Sequence, residues 1–257
     1  MRAVRVKSVL SPSKIRGIDY SLNPYVGCAF GCRYCYADFM GRFAGHAGET
    51  WGRFVDVKEN APELLRRELV RKKPGVIGLS LVTDPYQPLE GEHGLTRRCL
   101  EAILERGDFE VSVLTRSPLV VRDTHLFLAL GDRAQVGLSV TTDDEDVRRL
   151  FEPGAPPVDR RLEALRTLRA AGVHTYAFVG PALPMNPHRL ASRLAGIVEF
   201  VYLDRLNYAW KVREIYRSHR LENRLAPGYF RYVANAFRSV LEKAGIPIRP
   251  AGDSTGG

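Results

Sequence analysis

Six short apolar runs, each long enough for a buried strand, alternate with longer amphipathic stretches along the chain. A run that is apolar at consecutive positions is typical of a strand covered on both faces, and such strands belong to parallel sheets with helical crossovers. The pattern therefore predicts an α/β fold, a partial (β/α)6 TIM-type barrel. The predicted strands cover residues 20–27, 75–82, 110–116, 134–141, 174–182 and 200–206.

The segments between the strands carry helix signals. Pro62 stands near the first turn of the segment 61–72, and the segments 94–107 and 159–172 both end on glycine, a frequent helix stop. The last amphipathic segment, residues 229–245, is predicted to close the open side of the barrel. Its apolar face consists of Phe230, Val233, Ala234, Phe237, Val240 and Leu241.

The chain has no linker rich in Pro, Gly or Ser that would divide it. We therefore predict a single domain over residues 1–250, with an N-terminal extension at 1–19 and closing helices at about 208–245. The tail, residues 251–257, is expected to be disordered.

Composition narrows the setting. Lys and Arg number 38 against 29 Asp and Glu, a net charge of +9 that favours a polyanionic partner such as nucleic acid; a solvated arginine-rich surface is the alternative. Four cysteines are too few for a disulfide framework, and no segment has the length of a membrane span or the pattern of a secretory signal. These features predict a cytoplasmic protein without a membrane anchor.

Three of the four cysteines, Cys28, Cys32 and Cys35, follow the first predicted strand with the spacing C-x3-C-x2-C. Three thiolates can hold an iron-sulfur cluster and leave one iron open for a substrate or cofactor. A structural zinc site is the alternative, with His46 as its fourth ligand. Cys99 recurs with Leu95 and Ile103 on one helical face, which indicates a core residue.

The motif, with an aromatic residue before its last cysteine, resembles that of the radical S-adenosylmethionine (SAM) superfamily. The segments "DYSLNPYVGC", "GCRYCYA", "TDPYQPLE", "LTRS" and "GLSVTT" are similar to those of its spore photoproduct lyase-like branch, over residues 18–207. The resemblance implies a [4Fe-4S] cluster whose open iron binds SAM, and one-electron cleavage of SAM to a 5'-deoxyadenosyl radical. It also implies an electron donor such as flavodoxin or ferredoxin.

The resemblance assigns roles to four further residues. Arg116 stands where the lyase has a lysine that touches SAM, and Ser139 matches a serine that hydrogen-bonds SAM. Tyr34 and Tyr36 match tyrosines beside the last cysteine that are proposed to relay a hydrogen atom. The chain departs from the lyase after the second strand, where the hydrogen-donating cysteine is missing, so repair of the thymine photoproduct by that route is not expected.

Other polar residues at strand ends are candidates for ligand binding. Asp84 or Glu90 could hold the SAM ammonium group. Arg160 or Arg161 stands at a helix start, where a cation opposes the helix dipole, and this suggests a ligand carboxylate or phosphate nearby.

A basic segment, residues 205–224, interleaves arginines with Tyr208, Trp210 and Tyr216, as a reader of single-stranded or flipped bases would. The sequence thus predicts a radical SAM enzyme that abstracts hydrogen from an unidentified substrate, possibly nucleic acid. The alternatives are a peptide or small-metabolite substrate, or a zinc-stabilised nucleic-acid-binding module without catalysis.

Overall fold

A computed structural model describes residues 1–250 of the chain, so the predicted disordered tail lies outside the described residues. Within them, an eight-stranded sheet has the order β11-β10-β9-β8-β7-β6-β3-β2, and a three-stranded sheet has the order β1-β5-β4. The strands are β1 Arg2–Val4, β2 Leu10–Pro12, β3 Tyr20–Leu22, β4 Tyr25–Gly27, β5 Val55–Lys58, β6 Val76–Leu79, β7 Glu110–Thr115, β8 Ala134–Ser139, β9 His174–Val179, β10 Phe200–Leu203 and β11 Ile248–Pro250.

Helices connect the strands of the large sheet. The α-helices are α1 Met40–Phe43, α2 Ala61–Leu69, α3 Pro88–His93, α4 Leu95–Arg106, α5 Thr124–Leu130, α6 Glu145–Phe151, α7 Val158–Ala170, α8 Pro187–Leu194, α9 Arg213–Ser218 and α10 Pro227–Leu241. Short 3-10 helices cover Tyr36–Phe39, Pro118–Asp123, Gly131–Arg133, Ala209–Lys211 and Glu222–Leu225. Across residues 1–250, no helix combines the length and apolar character that crossing a bilayer requires.

Five of the six predicted strands are confirmed as β6 to β10, and the start of the first is β3; these six strands pair in parallel along the sheet. Their outward side chains form the main hydrophobic core with the helices, and Cys99 is fully buried there, as predicted. Because parallel strands end at the same edge, the segments that follow β6, β7 and β8 lie next to one another.

The first predicted strand, residues 20–27, is wrong as one element. It is divided at Asn23 and Pro24 into β3, which joins the large sheet, and β4, which pairs antiparallel with β5 in the small sheet. Proline lacks the N–H that a continuous strand would donate to its neighbour. The Pro24 carbonyl accepts a hydrogen bond from the N–H of Lys58, the last residue of β5, at 3.1 Å. The division places β4, which leads into the cysteines, in the small sheet.

The sequence also missed the two edges of the large sheet. β2, from the N-terminal extension, pairs antiparallel with β3, and β11 pairs in parallel with β10. Three-residue strands with exposed ends carry too little apolar pattern to be detected. The last helix, α10, packs against α8 and leads into β11, and its Tyr229 hydroxyl bonds the Leu183 carbonyl and the Met185 N–H in the loop after β9. That α10 closes the open side of the barrel stays a prediction. The single-domain boundaries stay a prediction.

His174 begins β9 at the amino end of the sheet and lies between two carboxylates. Its Nε2 is 3.1 Å from Asp132 Oδ1, and its Nδ1 is 3.0 Å from Glu199 Oε1. These hydrogen bonds, to Asp132 first and Glu199 second, raise the pKa of His174 above its usual 6.5. The folded protein therefore binds this proton more tightly than the unfolded chain does.

We expect the His174→Gln variant to lose stability at about pH 6 and little at about pH 9, because a raised histidine pKa stabilises the fold below the unfolded pKa and this contribution disappears as pH rises through the folded pKa. Solvent screening at this half-exposed site keeps the loss small. Urea denaturation at the two pH values measures it, with the exposed His188→Gln as control. Equal losses at both pH values would contradict the prediction.

Candidate active site

The loop after β4, residues 28–35, is here called the cysteine loop. Cys28 and Cys32 are buried and Cys35 is half-buried, and all three are free thiols. Two tight turns shape the loop, since the Gly31 N–H donates to the Cys28 carbonyl at 3.3 Å and the Cys35 N–H donates to the Cys32 carbonyl at 3.1 Å. The turns bring the three thiols into one short, hydrogen-bonded segment.

A second segment, residues 151–154, runs along the cysteine loop and is here called the strap. The Arg33 N–H donates to the Phe151 carbonyl at 2.9 Å, and the Gly154 N–H donates to the Phe30 carbonyl at 3.1 Å. A Cβ at Gly154 would lie only 2.6 Å from the Ala29 carbonyl oxygen, so the close approach requires glycine. The strap therefore fixes the position of the cysteine loop.

Burial raises the pKa of all three thiols, that of Cys32 to about 12. The Arg116 guanidinium opposes the rise at Cys32 and Cys35, whereas Asp84 adds to it at Cys28. The thiols are thus protonated at neutral pH while they hold no metal, and binding a metal centre would release their protons. Two buried thiols and one half-buried thiol, without a nearby fourth, are a donor set that fits an iron-sulfur cluster with one open iron.

His46, the fourth ligand of the alternative zinc site, has other partners in the structure. His46 Nδ1 is 2.6 Å from Glu49 Oε1 and its Nε2 is 3.0 Å from Asp56 Oδ1, so protein carboxylates occupy both ring nitrogens. The ring also stacks on Phe54. Within residues 1–250, no three Cys, His, Asp or Glu side chains converge closely enough to hold a single ion.

A buried carboxylate that the sequence analysis missed, Glu152, lies on the strap. Its Oε1 accepts from the Tyr34 hydroxyl, from Thr141 Oγ1 at 2.8 Å and from Arg116 Nε at 3.3 Å, and its Oε2 lies 2.6 Å from Arg161 Nη2. Arg116 Nη2 also donates to the Tyr34 hydroxyl oxygen at 2.9 Å. Glu152 and Arg161 are both fully buried. The five side chains form one closed network beneath the cysteine loop.

Two cations keep Glu152 ionised. Burial alone would raise its pKa, but the Arg161 and Arg116 guanidiniums, with the Tyr34 hydrogen bond, hold the pKa of Glu152 at about 2. The predicted ligand anion for Arg161 is therefore a protein carboxylate, and Arg161 also donates to the Ser139 carbonyl at 3.1 Å. The sequence could not show this partner because Glu152 reaches Arg161 only after the turn between α6 and α7.

Asp84 organises the strand ends and is almost completely buried. Its Oδ1 accepts from the Tyr86 N–H at 2.9 Å and from Thr115 Oγ1 at 2.5 Å, and its Oδ2 accepts from the Arg116 N–H at 2.8 Å. Burial nevertheless raises the pKa of Asp84. Both carboxylate oxygens thus have protein partners, and the clearest effect of Asp84 is to fix the backbone of Arg116.

The other acidic candidate, Glu90, is fully buried, and its described partners lie outside the cysteine loop. It accepts from the Tyr25 hydroxyl at 2.6 Å and pairs with Arg122 at 2.6 Å. Gln87, just before α3, connects the same segment to the cysteine loop, because its Oε1 accepts from the Ala29 N–H at 2.9 Å. Glu90 therefore supports α3 and its neighbours from within.

Arg116 and Ser139 follow adjacent strands. Thr115 of β7 pairs with Leu138 of β8, so the next residue on each strand, Arg116 and Ser139, lies at the same edge of the sheet. Arg116 is 19% exposed, and its described partners take two of its five N–H donors. The remaining donors are available to a ligand carboxylate.

The two tyrosines beside Cys35 have opposite surroundings. Tyr34 is buried in the Glu152 network, whereas Tyr36 is 42% exposed and donates its hydroxyl to the Leu81 carbonyl. The Tyr36 ring stacks on Tyr208, with ring centroids 6.3 Å apart. The sequence treats them alike because they are two positions apart, but the 3-10 helix that begins at Tyr36 turns them to different sides.

Tyr36 belongs to a group of exposed aromatic side chains, here called the aromatic rim, which consists of Tyr36, Phe39, Phe43, Tyr208 and Trp210. Lys211 links its two parts, because it pairs with Asp38 and lies 5.2 Å from the Trp210 ring centroid. Arg205 and Arg213 are exposed in the same segment.

The rest of the basic segment is less available than predicted. Tyr216 is buried against Phe151, so it cannot stack on a base. Arg217 pairs with Glu214 at 3.0 Å, and Arg224 lies over the Tyr229 ring. Charge and aromatic pattern alone cannot distinguish these intramolecular partners from an external one.

Comparisons with known proteins assign the family. The model of the radical SAM superfamily matches residues 22–190, which is more than half of the chain. An uncharacterised protein of Methanocaldococcus jannaschii is 35% identical over 206 residues, which cover 79% of this chain and 76% of that protein. A radical SAM Nα-GlyT isomerase of Pseudomonas phage M6 is 28% identical over 222 residues, which cover 77% of this chain and 42% of that protein.

Solved structures agree on the fold. A variant of spore photoproduct lyase matches with a TM-score of 0.66 over 96% of this chain and 80% of that chain, at 14% identity. This likeness confirms the barrel-type fold. Enzymes of the superfamily use a [4Fe-4S] cluster and SAM, and they need an electron donor and a substrate. The chain is a radical SAM enzyme and belongs to the radical SAM superfamily.

Proposed function

We propose that Cys28, Cys32 and Cys35 hold the [4Fe-4S] cluster and that the enzyme abstracts hydrogen from a nucleic acid substrate. The donor set supports the first part, because three thiol ligands leave one iron of the cluster open. When bound, the cluster would pass one electron to SAM, and cleavage of the SAM C–S bond would give methionine and the 5'-deoxyadenosyl radical. A flavodoxin or ferredoxin is the proposed electron donor, and a cytoplasmic location stays a prediction.

Arg116 and Ser139 are the proposed SAM contacts. Arg116 presents free guanidinium donors at the carboxyl end of β7, and such donors fit a carboxylate in a bidentate geometry. The Ser139 hydroxyl lies on the neighbouring strand end. Asp84 and Arg161 contribute indirectly, since Asp84 holds the Arg116 backbone and Arg161 neutralises Glu152.

Tyr36 is the better placed of the two proposed hydrogen-relay residues. Its phenol is partly exposed beside Cys35, whereas the Tyr34 phenol is enclosed by Glu152 and Arg116. Burial raises the pKa of Tyr36 to about 12, so its phenol keeps its hydrogen at neutral pH. The missing cysteine after β6 means that a tyrosine would have to supply this hydrogen if the reaction needs one.

The aromatic rim is the observation that supports a nucleic acid substrate. Exposed aromatic faces stack on bases, and Arg205 and Arg213 beside them can contact phosphates. Two comparisons are compatible with this choice: the phage relative is named an isomerase of Nα-GlyT, and a spore photoproduct lyase structure carries a dinucleoside spore photoproduct. A small metabolite would leave most of the rim uncovered.

We expect Cys32→Ala to abolish cluster binding and SAM cleavage, because two thiols cannot hold the cluster. Wild type reconstituted with iron and sulfide should contain about four irons and should form 5'-deoxyadenosine with dithionite and SAM. The control, Cys99→Ala, should keep its iron and lose about 1 kcal/mol of stability by packing. A wild type with an intact cluster that forms no 5'-deoxyadenosine would refute the enzymatic assignment.

We expect Trp210→Ala to weaken single-stranded oligonucleotide binding about tenfold, because base stacking on an aromatic ring contributes about 1–3 kcal/mol. Fluorescence anisotropy over a salt series measures the affinity. Arg213→Ala should reduce the salt dependence by about one phosphate contact. Tyr232→Ala, an exposed tyrosine on α10, is the matched control. If Trp210→Ala binds as well as this control, the rim is not the nucleic acid surface.

A further inference from the structure

To bind a ligand carboxylate, the Arg116 side chain must be held in place by a partner that does not neutralise its positive charge. A guanidinium on a flexible side chain loses conformational freedom when it binds a ligand, and a protein carboxylate can remove this cost by holding the side chain in advance. A simple ion pair, however, would also neutralise the guanidinium. Glu152 holds Arg116 through Nε at 3.3 Å and is itself paired with Arg161 at 2.6 Å.

The charges of the three residues explain how both conditions are met. Two guanidiniums and one carboxylate give the triad a net charge of one positive unit. Arg161 is fully buried and its described contacts are Glu152 and the Ser139 and Pro156 carbonyls, so it faces no ligand. The uncompensated positive charge therefore lies with Arg116, which is the exposed member of the triad.

The strap connects this triad to the cysteine loop. Glu152 stands between Phe151 and Gly154, whose backbones bond Arg33 and Phe30 of the loop. The Glu152 carboxylate also accepts from the Tyr34 hydroxyl. One short segment thus sets the distance between the cysteines and the Arg116 guanidinium.

We propose that Glu152 is a positioning residue that acts through Arg116: it fixes the guanidinium relative to the cysteine loop, and Arg161 preserves the charge of Arg116 by neutralising Glu152. This inference rests on the proposed contact between Arg116 and the SAM carboxylate. Glu152 itself touches neither SAM nor the substrate. Its effect on SAM binding therefore depends on the presence of Arg116.

The test is a double-mutant cycle on SAM affinity in the reconstituted holoenzyme, measured by equilibrium dialysis without reductant. Glu152→Gln combined with Arg161→Gln removes one charge of each sign, so the net charge of the site is conserved while Arg116 loses its anchor. We expect this variant to bind SAM about tenfold more weakly and Arg116→Ala to be at least as weak. Adding the Gln pair to Arg116→Ala should cause no further loss.

Folding is followed in parallel by iron content and melting temperature. If the Gln pair does not fold, Glu152→Asp replaces it, because the shorter carboxylate retracts from Arg116 and keeps the charge opposite Arg161. The control pair, Asp143→Asn with Arg189→Gln, removes an ion pair whose described contacts include neither Arg116 nor the cysteine loop. It should leave SAM affinity unchanged.

Three outcomes would overturn the inference. Unchanged SAM affinity in the Gln pair, while Arg116→Ala is weak, shows that Glu152 only supports the fold. Losses that add in the triple variant show that Glu152 does not act through Arg116. Normal SAM affinity in Arg116→Ala refutes the Arg116 contact itself, and 5'-deoxyadenosine formation by wild type still reports separately on the proposed reaction.

Discussion

The buried carboxylate of Glu152 is the interaction on which the arrangement of the site depends. Ionised carboxylates are costly to bury unless cations and hydrogen-bond donors compensate them. Here Arg161 and Arg116 hold the pKa of Glu152 at about 2 against the effect of burial. The same carboxylate joins the end of β7, the strap and Tyr34, which are distant in sequence. Removing one member of this group alone would leave an uncompensated buried charge. The end of β7, the strap and Tyr34 therefore depend on one another for their positions.

The parts of the fold that could be predicted from the sequence are those that local pattern determines. Strands β6 to β10 are buried on both faces, so their apolar runs are continuous and detectable. The C-x3-C-x2-C spacing is visible in the sequence alone because it lies within eight residues, and cluster binding by these cysteines is the proposal that follows from it. Arg116 and Ser139 were placed correctly at one sheet edge because parallel strands share their direction. Pro24 is the sequence signal for the division of the first predicted strand into β3 and β4.

The errors at the site have a different physical origin. Arg161 was predicted to face a ligand anion because a cation near a helix start is unfavourable. An anion does lie beside Arg161, but it is the carboxylate of Glu152. Likewise Tyr216 has the pattern of a stacking residue and is buried against Phe151. Phe151 is distant in sequence from Tyr216, and Glu152 meets Arg161 only through the turn between α6 and α7. A single sequence contains no signal for which residue will satisfy a charge or cover a ring through such tertiary contacts.

The exposure of the aromatic rim bears on the size of the substrate. A carbon radical must be kept from solvent and from side reactions, so a site that generates one is closed when it reacts. Tyr36 and Tyr208 are each 42% exposed, and Trp210 is 67% exposed. Since Tyr36 directly follows Cys35, this apolar surface adjoins the cysteine loop. A substrate that extends from the loop across the rim would complete the enclosure, and the stacked bases of the proposed nucleic acid substrate would do so with flat apolar faces. A small metabolite would need a separate closing movement.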